Sequence, residues 1–119
     1  MISGIMMYPM KALSGYHIMW AMLYFDLPVV TKPEKDAYLE FRNFLLDEGF
    51  EMAQFSVYLR NCASKEVAEA LIKRVEKALP PEGKVYILSI TDKQFESTVR
   101  FIKNKRQTPQ KNPDQLALF

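Results

Sequence analysis

The stretch that decides the fold is MWAMLYFDLPVV, Met19 to Val30. Seven apolar residues run unbroken from Met19 to Phe25, and an acid, Asp26, closes the run ahead of Leu27 and Pro28. The apolar run from Ile18 to Phe25 is far short of the roughly 20 residues needed to cross a bilayer. Its length and aromatic content are those of a buried strand. Side chains alternate between the two faces of a strand. Here both sets are apolar, with Ile18, Trp20, Met22 and Tyr24 on one face and Met19, Ala21, Leu23 and Phe25 on the other. Such a strand needs cover on both faces, and a carboxylate at its end needs a reason.

Downstream of the strand the punctuation is clear. Thr31-Lys32-Pro33-Glu34 is a capping box: the threonine hydroxyl takes an orphan amide and the glutamate reaches back. Ala37, Tyr38, Phe41, Phe44 and Leu45 then recur at helical spacing, and Gly49 supplies the stop. A second helix is expected from Ser64 to Leu79, with Val67, Leu71, Ile72, Val75, Ala78 and Leu79 inward and Pro80-Pro81 ending it. Between the helices, FEMAQFSVYLRNC (Phe50 to Cys62) is too long for one ordinary strand. It reads as two, Phe50 to Gln54 and Ser56 to Asn61, folded about Phe55 or Ser56 without the usual Asn-Gly turn. KVYILSI, Lys84 to Ile90, is a fourth strand, again apolar on both faces. Thr91 with Gln94 forms another capping box and opens a short helix through Phe95, Val99 and Ile102.

The order β-α-β-β-α-β predicts an α+β, ferredoxin-like sandwich, with an extra C-terminal helix and a tail strand. Residues 1–17 are expected to be a disordered N-terminal extension, or sequence upstream of a start at Met19 or Met22. Residues 18–102 form the domain. Residues 103–119 are a mobile basic linker followed by the tail strand DQLALF. Two helices cover one face of the sheet, and no further long helix is available for the other. A second copy packed sheet to sheet is the economical cover, so a homodimer is expected, with the tail strand pairing with an exposed strand edge.

Composition agrees with one domain: 119 residues, 49% hydrophobic and 25% charged, enough to bury roughly two-thirds of the unfolded chain's surface. Lys11 and His17 interrupt the apolar N-terminal region, and no basic segment precedes it, so neither export nor membrane insertion is expected. A single cysteine, Cys62, excludes an internal disulfide and fits a reducing, cytoplasmic setting. A net charge of +2 identifies no partner by itself.

Asp26 lies at the carboxyl end of a central strand, at the lip of the expected dimer interface. A twofold axis would bring two copies together. Paired carboxylates repel unless protonated or bridged by a cation, and a hard oxygen site suits magnesium, which polarises a phosphoryl oxygen and readies water for attack. The plainer alternative is that Asp26 caps the turn before Pro28. Other chemistry is weak: one His and one Cys match no zinc or nucleophile pattern, and four dispersed glycines make no phosphate loop.

Basic residues are widely spread. Lys32 and Lys35 follow the Asp26 strand, Arg42 is assigned to the exposed side of the first helix, and Arg60 ends a strand. Lys73, Arg74 and Lys77 share the second helix with balancing acids. Arg100, Lys103, Lys105, Arg106 and Lys111 have no acid among them. Such a spread suits a phosphate backbone bound without sequence reading, or an acidic partner.

MLYFDLPV (Met22 to Val29), YLEFRNFLLDEGFEMAQFSVYLR (Tyr38 to Arg60) and LPPEGKVYILSITDKQF (Leu79 to Phe95) resemble the CRISPR-associated protein family Cas2. The likeness spans Met19 to Phe119 and is strongest to the branch that accompanies single-protein-effector (type II) systems. It implies a ferredoxin-like homodimer that joins the CRISPR integrase, Cas1, in capturing foreign DNA and inserting it as new spacers in antiviral defence. The family's strand-end aspartate maps to Asp26, through which some members are described as magnesium-dependent endonucleases acting on RNA or DNA. In others the dimer is a scaffold that bridges two integrase dimers and holds the middle of the duplex. The resemblance also places phosphate contacts at Lys32, Lys35 and Arg60, puts Ser56 near the site, and gives the tail strand a part in holding the integrase. A DNA-holding bridge and a metal-dependent phosphodiesterase are thus the two functional classes. The bridge is weighted first, because one carboxylate per chain is thin for a nuclease. A partner protein that never touches nucleic acid is the third.

Overall fold

A computed structural model of the chain describes residues 18–108. The expected extension at 1–17 and the tail strand DQLALF lie outside the described residues. The elements run β1 (Met19–Asp26), α1 (Lys32–Asp47), β2 (Glu51–Gln54), β3 (Val57–Cys62), α2 (Lys65–Lys77), β4 (Lys84–Thr91), α3 (Asp92–Glu96), β5 (Phe101–Ile102) and β6 (Lys105–Arg106). The first four strands form one antiparallel sheet in the order β2-β3-β1-β4. This is the split βαβ arrangement the sequence predicts.

Strand parity builds the main core. Ala21, Leu23 and Phe25 face the helices together with Tyr58 and Cys62 of β3, and Phe41, Leu45, Ala68, Leu71 and Val75 close over them. Both ends of α1 are built as its residue types require. Thr31 accepts from the Glu34 amide while the Glu34 carboxylate accepts from the Thr31 and Val30 amides at 2.9 and 3.0 Å. At the other end Gly49, at φ +93°, lets its own N–H reach the Leu46 carbonyl and that of Phe50 reach Leu45. That pairing is a Schellman stop.

The opposite face of the sheet is half covered. Phe95 of α3 stacks on Trp20 with ring centroids 4.2 Å apart, and the Trp20 indole N–H donates to Asp92 Oδ1 at 2.7 Å. A five-residue helix therefore does at one end of this face what the sequence reading left entirely to a second copy. The rest stays open: Tyr24 is 40% exposed, Tyr86 53% and Leu88 46%. A groove of about 650 Å³ runs beside them, lined by Met22, Leu59, Ile90, Phe95, Val99 and Phe101 among others.

Three boundaries differ from expectation by more than one residue. The second helix ends at Lys77 rather than Leu79. The third ends at Glu96, short of Ile102. Residues 101–106, assigned to the helix end and a linker, form a small hairpin instead. Lys103 and Asn104 both have positive φ, 54° and 66°, the requirement of a type I′ turn, which Lys-Asn signals far more weakly than Asn-Gly.

Candidate functional site

Asp26 is the last residue of β1 and is exposed. Its parity with Trp20, Met22 and Tyr24 puts it on the open face of the sheet. Across β4 its register partner is Lys84, and the next pair inward on that face is Tyr24 with Tyr86, whose rings stack at 5.2 Å. The other flank is the β2–β3 turn, where the Ser56 carbonyl accepts from the Phe25 N–H at 3.2 Å. Ser56 therefore adjoins the end of β1. Gly83 backs onto the strand end: a Cβ there would lie 2.7 Å from the Asp26 carbonyl oxygen and 2.6 Å from Leu27 Cδ2. A side chain at position 83 would therefore collide with the end of β1.

The carboxylate of Asp26 takes part in neither ion pair of the described residues, Lys32–Asp36 at 3.0 Å and Arg74–Glu48 at 2.9 Å. Among the described residues no group of three or more His, Cys, Asp or Glu is placed to hold a metal ion. Magnesium is commonly held by one or two carboxylates plus waters and substrate phosphate. One chain supplies a single carboxylate, so it fits the ion only as half of a site.

The basic residues separate into two groups. Lys32 and Lys35 lie exposed in the first turn of α1, which the loop after Asp26 leads into, with Lys32 paired to Asp36. Lys105 and Arg106 lie exposed on β6. Arg42 and Arg60 are different. Arg42 is half-buried on the core side of α1, not on its exposed side, because it falls one turn from Tyr38 and three residues from Leu45. There it faces the Tyr58 hydroxyl, which has no well-aligned hydrogen-bond partner among the described residues. Burial raises the Tyr58 pKa and Tyr38 adds to this, while Arg42 opposes it. Arg60 is on the helix face opposite Ala21, and its Nε donates to the Glu48 carbonyl at 2.7 Å, closing the end of α1. It lies five residues, roughly 17 Å along the strand, from Asp26.

Lys84 and Tyr86 escaped notice in the sequence as neighbours of Asp26. The signal was available once β1 and β4 were paired antiparallel, since the last residue of one then meets the first of the other.

The family model for CRISPR associated protein Cas2 matches residues 19–98. Among curated proteins the chain is similar to the CRISPR-associated endoribonuclease Cas2 of Paracidovorax avenae, 53% identical over 90% of this chain and 99% of that one. It is also similar to those of Flavobacterium psychrophilum, 45% identical over 90% and 93%, and Parvibaculum lavamentivorans, 46% identical over 85% and 100%.

Proposed function

The chain belongs to the CRISPR-associated protein Cas2 family, and on that premise we propose that it acts as a homodimeric bridge in CRISPR adaptation, holding duplex DNA for the integrase Cas1. The observation that carries this reading is the half-covered sheet. Tyr24, Tyr86 and Leu88 form an exposed apolar face beside a strand-end carboxylate, and a second copy packed there covers the face on both protomers at once. The exposed lysines Lys32 and Lys35, with Lys105 and Arg106 on the hairpin, offer charge to a phosphate backbone and read no bases. Leu88→Glu tests this. It should convert a dimer to a monomer in sedimentation and abolish integration with purified Cas1; a variant that stays dimeric and integrates normally contradicts the reading.

A second reading is supported by the name endoribonuclease carried by the relatives. In it, the two Asp26 carboxylates of the proposed dimer would hold magnesium, which when bound would supply Lewis-acid polarisation of a phosphoryl oxygen. The chain's own part is to place Asp26 at the axis through the Gly83 contact and to hold the phosphate with Lys32, Lys35 and Lys84. With one acid per chain and, among the described residues, no further acid or histidine grouped with it, this is the lesser activity of the two.

A further inference from the structure

We propose that Phe55, at the tip between β2 and β3, is a stacking contact for an unpaired nucleobase of single-stranded nucleic acid passing Asp26; this deepens the nucleic-acid reading above and rests on it. Phe55 is 81% exposed, the largest apolar side chain among the described residues left in water to that degree. It belongs neither to the helix-side core nor to the smaller cluster around Trp20. The tip is fastened next to the site, because the Ser56 carbonyl accepts the N–H of the residue before Asp26. Ser56 holds a left-handed φ of 66° there without being glycine, a conformation non-glycine residues adopt only when the surroundings impose it.

Charge on the other side of Asp26 from the tip favours a polyanion. Lys84 stands opposite Asp26 in register, and Lys32 and Lys35 open the helix that follows the Asp26 loop. A backbone neutralised by these lysines leaves its bases to find apolar faces, and an aromatic ring accepts any of them because every base has a π-face. The base must be unpaired, since in a duplex both its faces are already stacked on neighbours. Phe55 therefore selects single strands over duplexes without selecting sequence.

The test uses the full chain and short fluorescent oligonucleotides, single-stranded and duplex, titrated across a salt series, with sedimentation of each variant. Phe55→Ala should weaken single-strand binding roughly 5- to 150-fold, the range of one lost base–aromatic stack. The salt slope and duplex affinity should not change, and Phe55→Trp should restore binding. Lys35→Ala should instead lower the salt slope for both ligands. Unchanged single-strand affinity in Phe55→Ala, beside a wild type that binds with a normal salt slope, overturns the stacking role and leaves the nucleic-acid reading intact. Loss of the dimer in Phe55→Ala overturns it too, by making Phe55 a contact between copies. A wild type that binds no nucleic acid at any salt removes both.

Discussion

Single residues at this site do two kinds of work. Arg60 and Lys35 are both cations within the span that the family model matches, but only the Arg60 side chain is seen tied into the fold, through the Glu48 carbonyl. Arg60→Ala should cost about 1–3 kcal/mol, since a part-buried carbonyl then loses a charged donor. Lys35→Ala should leave thermal stability unchanged and reduce the salt dependence of nucleic-acid binding. Equal stability losses in denaturant titrations would contradict this division. Gly83→Ala makes a sharper demand, because φ is +96° and the new methyl meets the Asp26 carbonyl and Leu27. It should destabilise by about 2 kcal/mol and disturb whatever Asp26 does even though residue 26 itself is untouched. Asp26 was legible as a strand-end carboxylate from its place after seven apolar residues. The half-buried position of Arg42 was not: its charge drew it to the outer face in the reading, whereas the Tyr38–Arg42–Leu45 spacing puts it beside Tyr58.

At the scale of elements, local signals decide most boundaries. The capping box of α1 is complete, and its Glu34 carboxyl is held below its ordinary pKa of 4.5 by the Thr31 amide first and that of Val30 next. A carboxyl with a lowered pKa in the folded state stabilises through its charged form. Its contribution is present above pH 4.5 and is lost as pH falls through the lowered value. The melting-temperature gap between wild type and Glu34→Ala should therefore be full at neutral pH and close in acid; a gap that widened in acid would contradict the cap. Both capping boxes and the Gly49 stop were readable because each is a short motif with its own chemistry. The β5–β6 hairpin was not. Its strands are two residues each, and its turn uses Lys103-Asn104 at positive φ, so a run rich in lysine passed for a linker.

For the whole molecule, the decisive feature is a sheet with apolar residues on both faces and its two long helices on one. The period-2 pattern of β1 and β4 exposed this directly, and the β2-β3-β1-β4 order follows from the split βαβ path. What the pattern concealed is how much of the open face α3 takes for itself through Trp20 and Phe95, since a helix of five residues leaves almost no periodic trace. The remaining face, with Tyr24, Tyr86 and Leu88 beside Asp26, is where the proposed second copy would turn one carboxylate into two and one set of lysines into a twofold surface. The account rests on that assembly acting first as a bridge and only secondarily as a hydrolase. Asp26→Asn with purified Cas1, magnesium and duplex DNA, assayed for spacer integration and for RNA and DNA cleavage in the same preparation, tests it most directly. Integration at the wild-type level with cleavage abolished is the predicted result; loss of integration in a variant that remains folded and dimeric would place Asp26 in the central chemistry and contradict the account.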